Sequence, residues 1–245
     1  MSRILIIGDS WGEGEWNYLC KKHLVPLEMC GCDKSTETIY SVTHRGLEKY
    51  LLEHGCYVKN ISKGGQSNIS AINSSLTQTV EAYDYVFWFV TDPLRDNENQ
   101  PIVAETAKDL KRIIDQSMEQ TLRMANDAYA VCKNGVHIIG GCYDPDIKSI
   151  DYENVHTGCK NFYKLLDFDI PEDFRGASVI PTTSIPDLKE EAIDYLDKTI
   201  SIQWDLSKNK YPEYFTPDDN HPNRKAHKVL AEYLISKFNL TPYMG

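Results

Sequence analysis

Ser10 closes an apolar run in Gly8-Asp9-Ser10-Trp11, and the only chemistry that would make use of it lies far downstream, in Asp218-Asp219-Asn220-His221. A serine hydroxyl attacks a carbonyl poorly until a base takes its proton. A histidine can take that proton and return it to a leaving group, while a carboxylate on its other nitrogen fixes the tautomer and steadies the imidazolium. Asp218, three residues before His221, has room to turn back towards the ring; the neighbouring Asp219 is not excluded by spacing. Either cluster alone also suits a bland role, short polar side chains satisfying a turn or a helix entry. What distinguishes them is their joint presence at opposite ends of one chain.

The elements between them must bring these residues together. Residues 3–8 read as a short strand whose apolar stretch Ile4-Leu5-Ile6-Ile7 is continuous, as in a parallel sheet covered on both faces. Ser41 or Thr43 is expected to cap a helix reaching His54, with Gly55 as its stop, and residues 57–61 return as a strand. Ser62 to Asn68 is a glycine-bearing turn; Ser67 or Asn68 starts a helix expected to run to Glu81. Residues 85–90 form the most apolar strand, ended by Thr91-Asp92-Pro93. A long helix is expected over 103–133, a strand from Val136, and helices over 187–200 and 224–238. Residues 144–186 read as a loop-rich insertion, with a strand candidate at 177–180. The alternation predicts one domain over 1–245, a three-layer α/β/α sandwich around a mostly parallel sheet.

Composition narrows the partners. With 245 residues, 41 % hydrophobic and 25 % charged, the chain matches an ordinary globular protein. A net charge of −10 argues against a broad nucleic-acid footprint. No apolar stretch has the length of a membrane span or a signal-peptide core, so no membrane insertion and a cytoplasmic location are expected. Seven cysteines are present, at 20, 30, 32, 56, 132, 142 and 159. Cys30-Gly31-Cys32 lacks the two-residue spacer of common zinc knuckles and no second close cysteine pair complements it, so the expectation is scattered reduced thiols, with no metal and no cofactor.

In these blocks the chain resembles the SGNH hydrolases, the GDSL-type esterases and lipases. Gly8-Asp9-Ser10-Trp11 is similar to the family's first block, with Trp11 where leucine is usual. Asn60 followed by Gly65-Gln66-Ser67 is similar to the second, and Asp218-Asp219-Asn220-His221 to the last; the ordered blocks span nearly the whole chain. The resemblance implies a flavodoxin-like domain that cleaves an ester through an acyl-enzyme: Ser10 as nucleophile, His221 as proton shuttle, Asp218 as its orienting acid, and the backbone N–H groups of Ser10 and Gly65 as oxyanion donors.

The third block departs from the family. Where an asparagine usually supplies a further oxyanion donor, Phe89-Val90-Thr91-Asp92 aligns Thr91, whose hydroxyl donates one bond over a shorter reach. Thr91 is the expected replacement; Gln66 or Asn68 from the glycine turn, or a hole that works with fewer donors, are the alternatives. Trp11, Gln66, Asn68 and Arg95 are candidates for binding substrate, Asp96 with Arg95 either binds a polar substrate or forms a solvated loop, and Glu13, Glu15 and Trp16, with Trp11, are candidates for shaping the pocket. This mixed aromatic and polar surrounding favours an O-acetyl ester on a carbohydrate or glycan over a lipid tail. The competing reading is a weakly active or inactive module of the same scaffold that binds carbohydrate or protein.

Overall fold

Two runs dominate the architecture because they are apolar on both faces: Ile4 to Ile7 and Val86 to Val90 are completely buried, the condition of strands sandwiched between helices. The computed structural model describes residues 1–25, 27–30, 32, 38–97, 102–141, 143–145, 152–172, 174–176, 187–217 and 220–242. In its first third the chain forms β1 (Arg3–Gly8), α1 (Ser10–Glu13), β2 (Glu15–Cys20), α2 (Leu27–Cys30), β3 (Thr38–His44), α3 (Gly46–Glu53) and β4 (Tyr57–Asn60). The middle contributes α4 (Asn68–Ser75), β5 (Tyr85–Val90), β6 (Val103–Ala104), α5 (Ala107–Ala128) and β7 (Val136–Gly140). Then come β8 (Val155–His156), α6 (Phe162–Leu165), β9 (Asp187–Leu188), α7 (Glu190–Asp205) and α8 (Arg224–Phe238).

Five strands form one parallel sheet in the order β4-β1-β5-β7-β8. Side chains alternate across it. Ile4, Ile6, Phe87 and Phe89 meet Leu47 and Leu51 of α3 and Leu230 and Leu234 of α8. Leu5, Ile7, Val86 and Trp88 meet Ile72 of α4, Leu110 and Leu122 of α5 and Leu196 of α7. The result is a three-layer α/β/α arrangement. Strand order grows outward from β1 in both directions, so the topology switches between β1 and β5; a crevice for ligands opens beyond the carboxyl ends of strands at such a switch. Among the described residues no helix is long and apolar enough to cross a membrane.

Several expected boundaries shift, each for a local reason. Residues 38–44 are a strand, not the entry to a helix: Thr38, Ile39, Tyr40, Val42 and Thr43 are β-branched or aromatic, and they pair antiparallel with β2. Ser41 and Thr43 therefore cap nothing, and α3 starts at Gly46 behind Arg45 with no side-chain cap. The helix after the glycine turn is capped by Ser67 and stops at Ser75, well short of Glu81. The long helix begins at Ala107 because Thr106 and Asp109 form a reciprocal capping box, which frees Val103 and Ala104 to pair with β9. Within the supposed insertion, Val155 and His156 add the fifth strand beside β7; the strand candidate at 177–180 lies outside the described residues. Finally, the two ends of the fold are tied together, Ser2 N–H donating to Thr241 O and Thr241 N–H to Ser2 Oγ, both at 2.9 Å.

Candidate active site

Ser10 sits where β1 gives way to α1, at the carboxyl edge of the sheet. Gly8 has φ +133°, and a Cβ there would lie 2.3 Å from Phe89 O, so only glycine lets β1 end this close to β5. Asp9 then caps the short helix, its Oδ1 accepting Trp11 N–H at 3.0 Å. Ser10 is the first residue of that turn, a position whose N–H has no partner within the helix.

His221 Nε2 lies 2.6 Å from Ser10 Oγ. The turn that delivers it is clamped on both sides. Thr216 N–H donates to His221 O at 2.8 Å, and His221 N–H to Thr216 Oγ1 at 3.3 Å. Asn220 takes a left-handed conformation, φ +55°, one that asparagine tolerates better than most residues, and its Oδ1 accepts Ser207 Oγ–H at 2.6 Å. Asn223 caps α8 through Lys225 N–H and Ala226 N–H, while its amide donates to Glu213 O at 2.8 Å. Asp218 and Asp219 lie outside the described residues.

The other face of the imidazole meets a residue that nothing in the sequence marked. Tyr40 Oη is 3.2 Å from His221 Nδ1. Its ring stacks on Trp16 at 4.9 Å between centroids and lies 4.7 Å from Tyr18. These aromatics come from the β2–β3 ribbon, in which Ser41 and Thr43 are strand residues instead of helix caps. Glu15, at the start of that ribbon, is 5 % exposed. It accepts from Arg224 three times, from the backbone N–H at 2.6 Å, Nε at 3.0 Å and Nη2 at 2.7 Å. Burial alone would raise the Glu15 pKa, but the hydrogen bonds and charge of Arg224 outweigh it and hold the carboxyl below its ordinary value. One ion pair thus ties the ribbon to the first residue of α8, three positions beyond His221.

The glycine turn is fastened to the surroundings of Ser10. Lys63 N–H donates to Gly8 O at 3.1 Å, Asn60 Nδ2 to Gly12 O at 2.9 Å, and Gly64 N–H to Glu13 Oε2 at 2.6 Å. Gly65 has φ +74° and is exposed, with nothing within 4 Å of where a Cβ would stand. Just past the end of the neighbouring strand β5, Thr91 is 1 % exposed. Asn68 holds its backbone at both ends, accepting Thr91 N–H at 2.9 Å and donating to Thr91 O at 3.0 Å.

This geometry sorts the remaining candidates. Asn68 is buried and its second amide N–H goes to Asp96 Oδ2 at 3.1 Å, so both donors are committed and the expectation of an oxyanion donor there is corrected. Asp96 also accepts Ile69 N–H at 2.9 Å and Thr121 Oγ1–H at 3.2 Å; burial raises its pKa above the ordinary carboxylate value in spite of these bonds. Gln66 Nε2 donates to Ser74 Oγ at 3.0 Å. Trp11 is 5 % exposed and packs against Phe162, Tyr163 and Phe215, so its indole belongs to the core, and its expected contact with substrate is corrected. Arg95 is half-buried in the turn after β5.

Away from this site, three of the cysteines expected to be scattered converge with a histidine. Cys20, His23, Cys30 and Cys32 bring their ligand atoms within 4.8 Å of one another. A count of cysteine pairs missed this because the complement of Cys30 and Cys32 is mixed, Cys20-x-x-His23.

No protein-family model and no curated protein matches the chain. Solved structures similar to it include the lipase/acylhydrolase from Enterococcus faecalis, at 12 % identity and TM-score 0.39, with 100 % of each chain covered. The acetylxylan esterase Axe2 from Geobacillus stearothermophilus is 15 % identical with TM-score 0.43, covering 100 % of this chain and 97 % of its own. LAE5, an alpha/beta hydrolase from the metagenome of Lake Arreo, Spain, is 14 % identical with TM-score 0.40, covering 97 % and 95 %.

Proposed function

We propose that the chain is a serine-dependent carboxylic-ester hydrolase of the SGNH type on a flavodoxin-like sheet. The observation that carries this reading is the 2.6 Å approach of His221 Nε2 to Ser10 Oγ at the carboxyl edge of the sheet. A hydroxyl and an imidazole at that distance are already in the arrangement needed for proton transfer during attack.

In the reaction Ser10 Oγ bonds to the acyl carbon while its proton passes to His221 Nε2. The C–O bond to the leaving group then breaks, and His221 returns the proton to the departing oxygen. Water repeats the sequence on the acyl-enzyme, releasing the acid and restoring Ser10. Asp218 is assigned to the Nδ1 side of His221. The backbone N–H groups of Ser10 and Gly65 are assigned to the oxyanion, with the Thr91 hydroxyl as third donor, its backbone held by Asn68; such a donor is worth about 3 to 4 kcal/mol in the transition state. Half-buried Trp16 and Tyr40 beside the imidazole give the site an aromatic border, which favours an O-acetylated carbohydrate or glycan as substrate.

Acetate release from a panel of acetylated sugars, with intact-mass detection of Ser10 labelling by an activated phosphonate, tests this directly. Turnover and single labelling, both lost in Ser10→Ala, are expected. No acetate from any substrate and no labelling would remove the hydrolase reading; tight glycan binding without turnover would establish a binding module instead.

A further inference from the structure

Apart from Trp16 and Tyr40, which lie beside His221, the β2–β3 ribbon is held at its two ends. Among the described residues neither apolar core contains any residue of β2 or β3, and a two-stranded ribbon standing alone is marginal in water. One end is held by Glu15 and Arg224. The other end is where Cys20, His23, Cys30 and Cys32 meet.

From this juxtaposition we propose a structural zinc site, with Cys20, Cys30 and Cys32 as thiolate ligands and His23 binding through Nδ1. Tetrahedral coordination with Zn–S of about 2.3 Å and Zn–N of about 2.0 Å places sulfur atoms about 3.8 Å apart and sulfur about 3.5 Å from nitrogen. Cys20 Sγ lies 3.6 Å from Cys32 Sγ, and His23 Nδ1 lies 3.4 Å from Cys20 Sγ and 3.7 Å from Cys32 Sγ. These three separations match three edges of such a tetrahedron. All four ligand atoms lie within 4.8 Å of one another, close enough for one ion, whereas a two-iron cluster divides its ligands between two metals.

The backbone is shaped to the same end. His23 N–H and Leu24 N–H both turn back to Cys20 O, at 3.2 and 2.7 Å, and Cys20 N–H reaches Val25 O at 2.9 Å. Leu24 adopts φ +55° although it is 66 % exposed and gains no burial there. That turn swings the His23 ring over Cys20. Three thiols and a neutral imidazole would release three protons on binding Zn²⁺ and leave a site of charge −1, so the metal contributes to folding of the ribbon tip. Thiolate-rich tetrahedral sets of this kind, with every position filled by protein, favour zinc and leave no place for substrate.

The site is independent of the reaction assigned to Ser10, and its test does not read activity. The full chain, purified without chelator and without a histidine tag, is expected to carry one zinc per molecule by elemental mass spectrometry. Exchange into Co²⁺ should give the visible bands of a tetrahedral ion and a thiolate-to-cobalt charge-transfer band. Cys32→Ser should lose at least tenfold in metal affinity and weaken the charge-transfer band, His23→Ala should alter the visible bands, and Cys159→Ser should change neither. A folded wild-type chain that holds no zinc and gives no cobalt spectrum overturns the proposal. So does a Cys32→Ser protein with unchanged affinity, or a disulfide joining two of the three cysteines in the protein as purified.

Discussion

Tyr40 Oη stands 3.2 Å from His221 Nδ1, on the side of the ring opposite Ser10. If Nε2 is to accept the Ser10 proton, the resting imidazole carries its own proton on Nδ1, and the tyrosine oxygen accepts from it beside the Asp218 carboxylate assigned to the same nitrogen. Tyr40→Phe keeps the stack on Trp16 and removes that acceptor. A hydrogen bond of this kind is worth about 1 kcal/mol, so kcat on an acetyl ester should fall about five- to tenfold with KM nearly unchanged. Steady-state kinetics giving an unaltered kcat would assign Tyr40 to packing alone.

Asn68 is expected to matter for stability before it matters for rate. Its truncation to alanine strands the Thr91 N–H and C=O in a buried strand end and removes one of the bonds to Asp96. Urea denaturation should show a loss of about 2 to 4 kcal/mol. Asn68→Asp should be worse at neutral pH, since it sets a second carboxyl beside a buried one, and should recover on acidification.

The Glu15–Arg224 pair predicts a pH dependence whose sign follows from the depressed Glu15 pKa. The unfolded chain takes up the proton at higher pH than the folded one, so the pair's contribution is complete above the ordinary carboxylate range. It is lost as pH falls through the lower folded value. Glu15→Gln should cost about 1 to 3 kcal/mol at pH 7. Denaturation of both proteins at stepped acidic pH should show that difference closing; a constant difference would mean the charge contributes nothing.

His227, fully buried on α8 and edge-on to Phe162 at 5.4 Å, supplies a second acid-sensitive term. Burial pushes its pKa from 6.5 down to about 3. Between those values the unfolded chain binds a proton that the folded chain refuses, so stability falls as pH drops, by up to about 1.4 kcal/mol per pH unit. His227→Leu should flatten the profile over that window, measured by thermal or urea unfolding. An equally steep profile in the variant would place the acid lability elsewhere.

The parts of this molecule that sequence made legible are those governed by local rules. β1 and β5 announced themselves because a strand covered on both faces is apolar without interruption, and α8 because its apolar residues recur at helical spacing. The approach of Ser10 to His221 followed from placing one at a strand end and the other just before that helix. Tyr40 was illegible for a different reason: its strand has no apolar face to show, only β-branched and aromatic residues half-buried against a partner 20-odd positions earlier. The metal-ligating group escaped for a similar reason, since a cysteine and a histidine belong to no common cysteine pair. Thr91 could be aligned, but the asparagine that holds its backbone lies 23 residues away, and spacing alone made that asparagine look like a donor to substrate.

A bond that joins residue 10 to residue 221 also sets an order of events. Closing so long a loop costs entropy that only contacts already formed around it can offset. The sheet from β1 to β7 and the helices of one face can assemble while the segment carrying His221 is still undocked, with the Ser2 and Thr241 bonds closing beside it. Catalytic competence is thereby a late arrival in folding, and the recovery of turnover after denaturation should trail the recovery of secondary structure. A chain interrupted before His221 would retain a sheet and a serine, but no base.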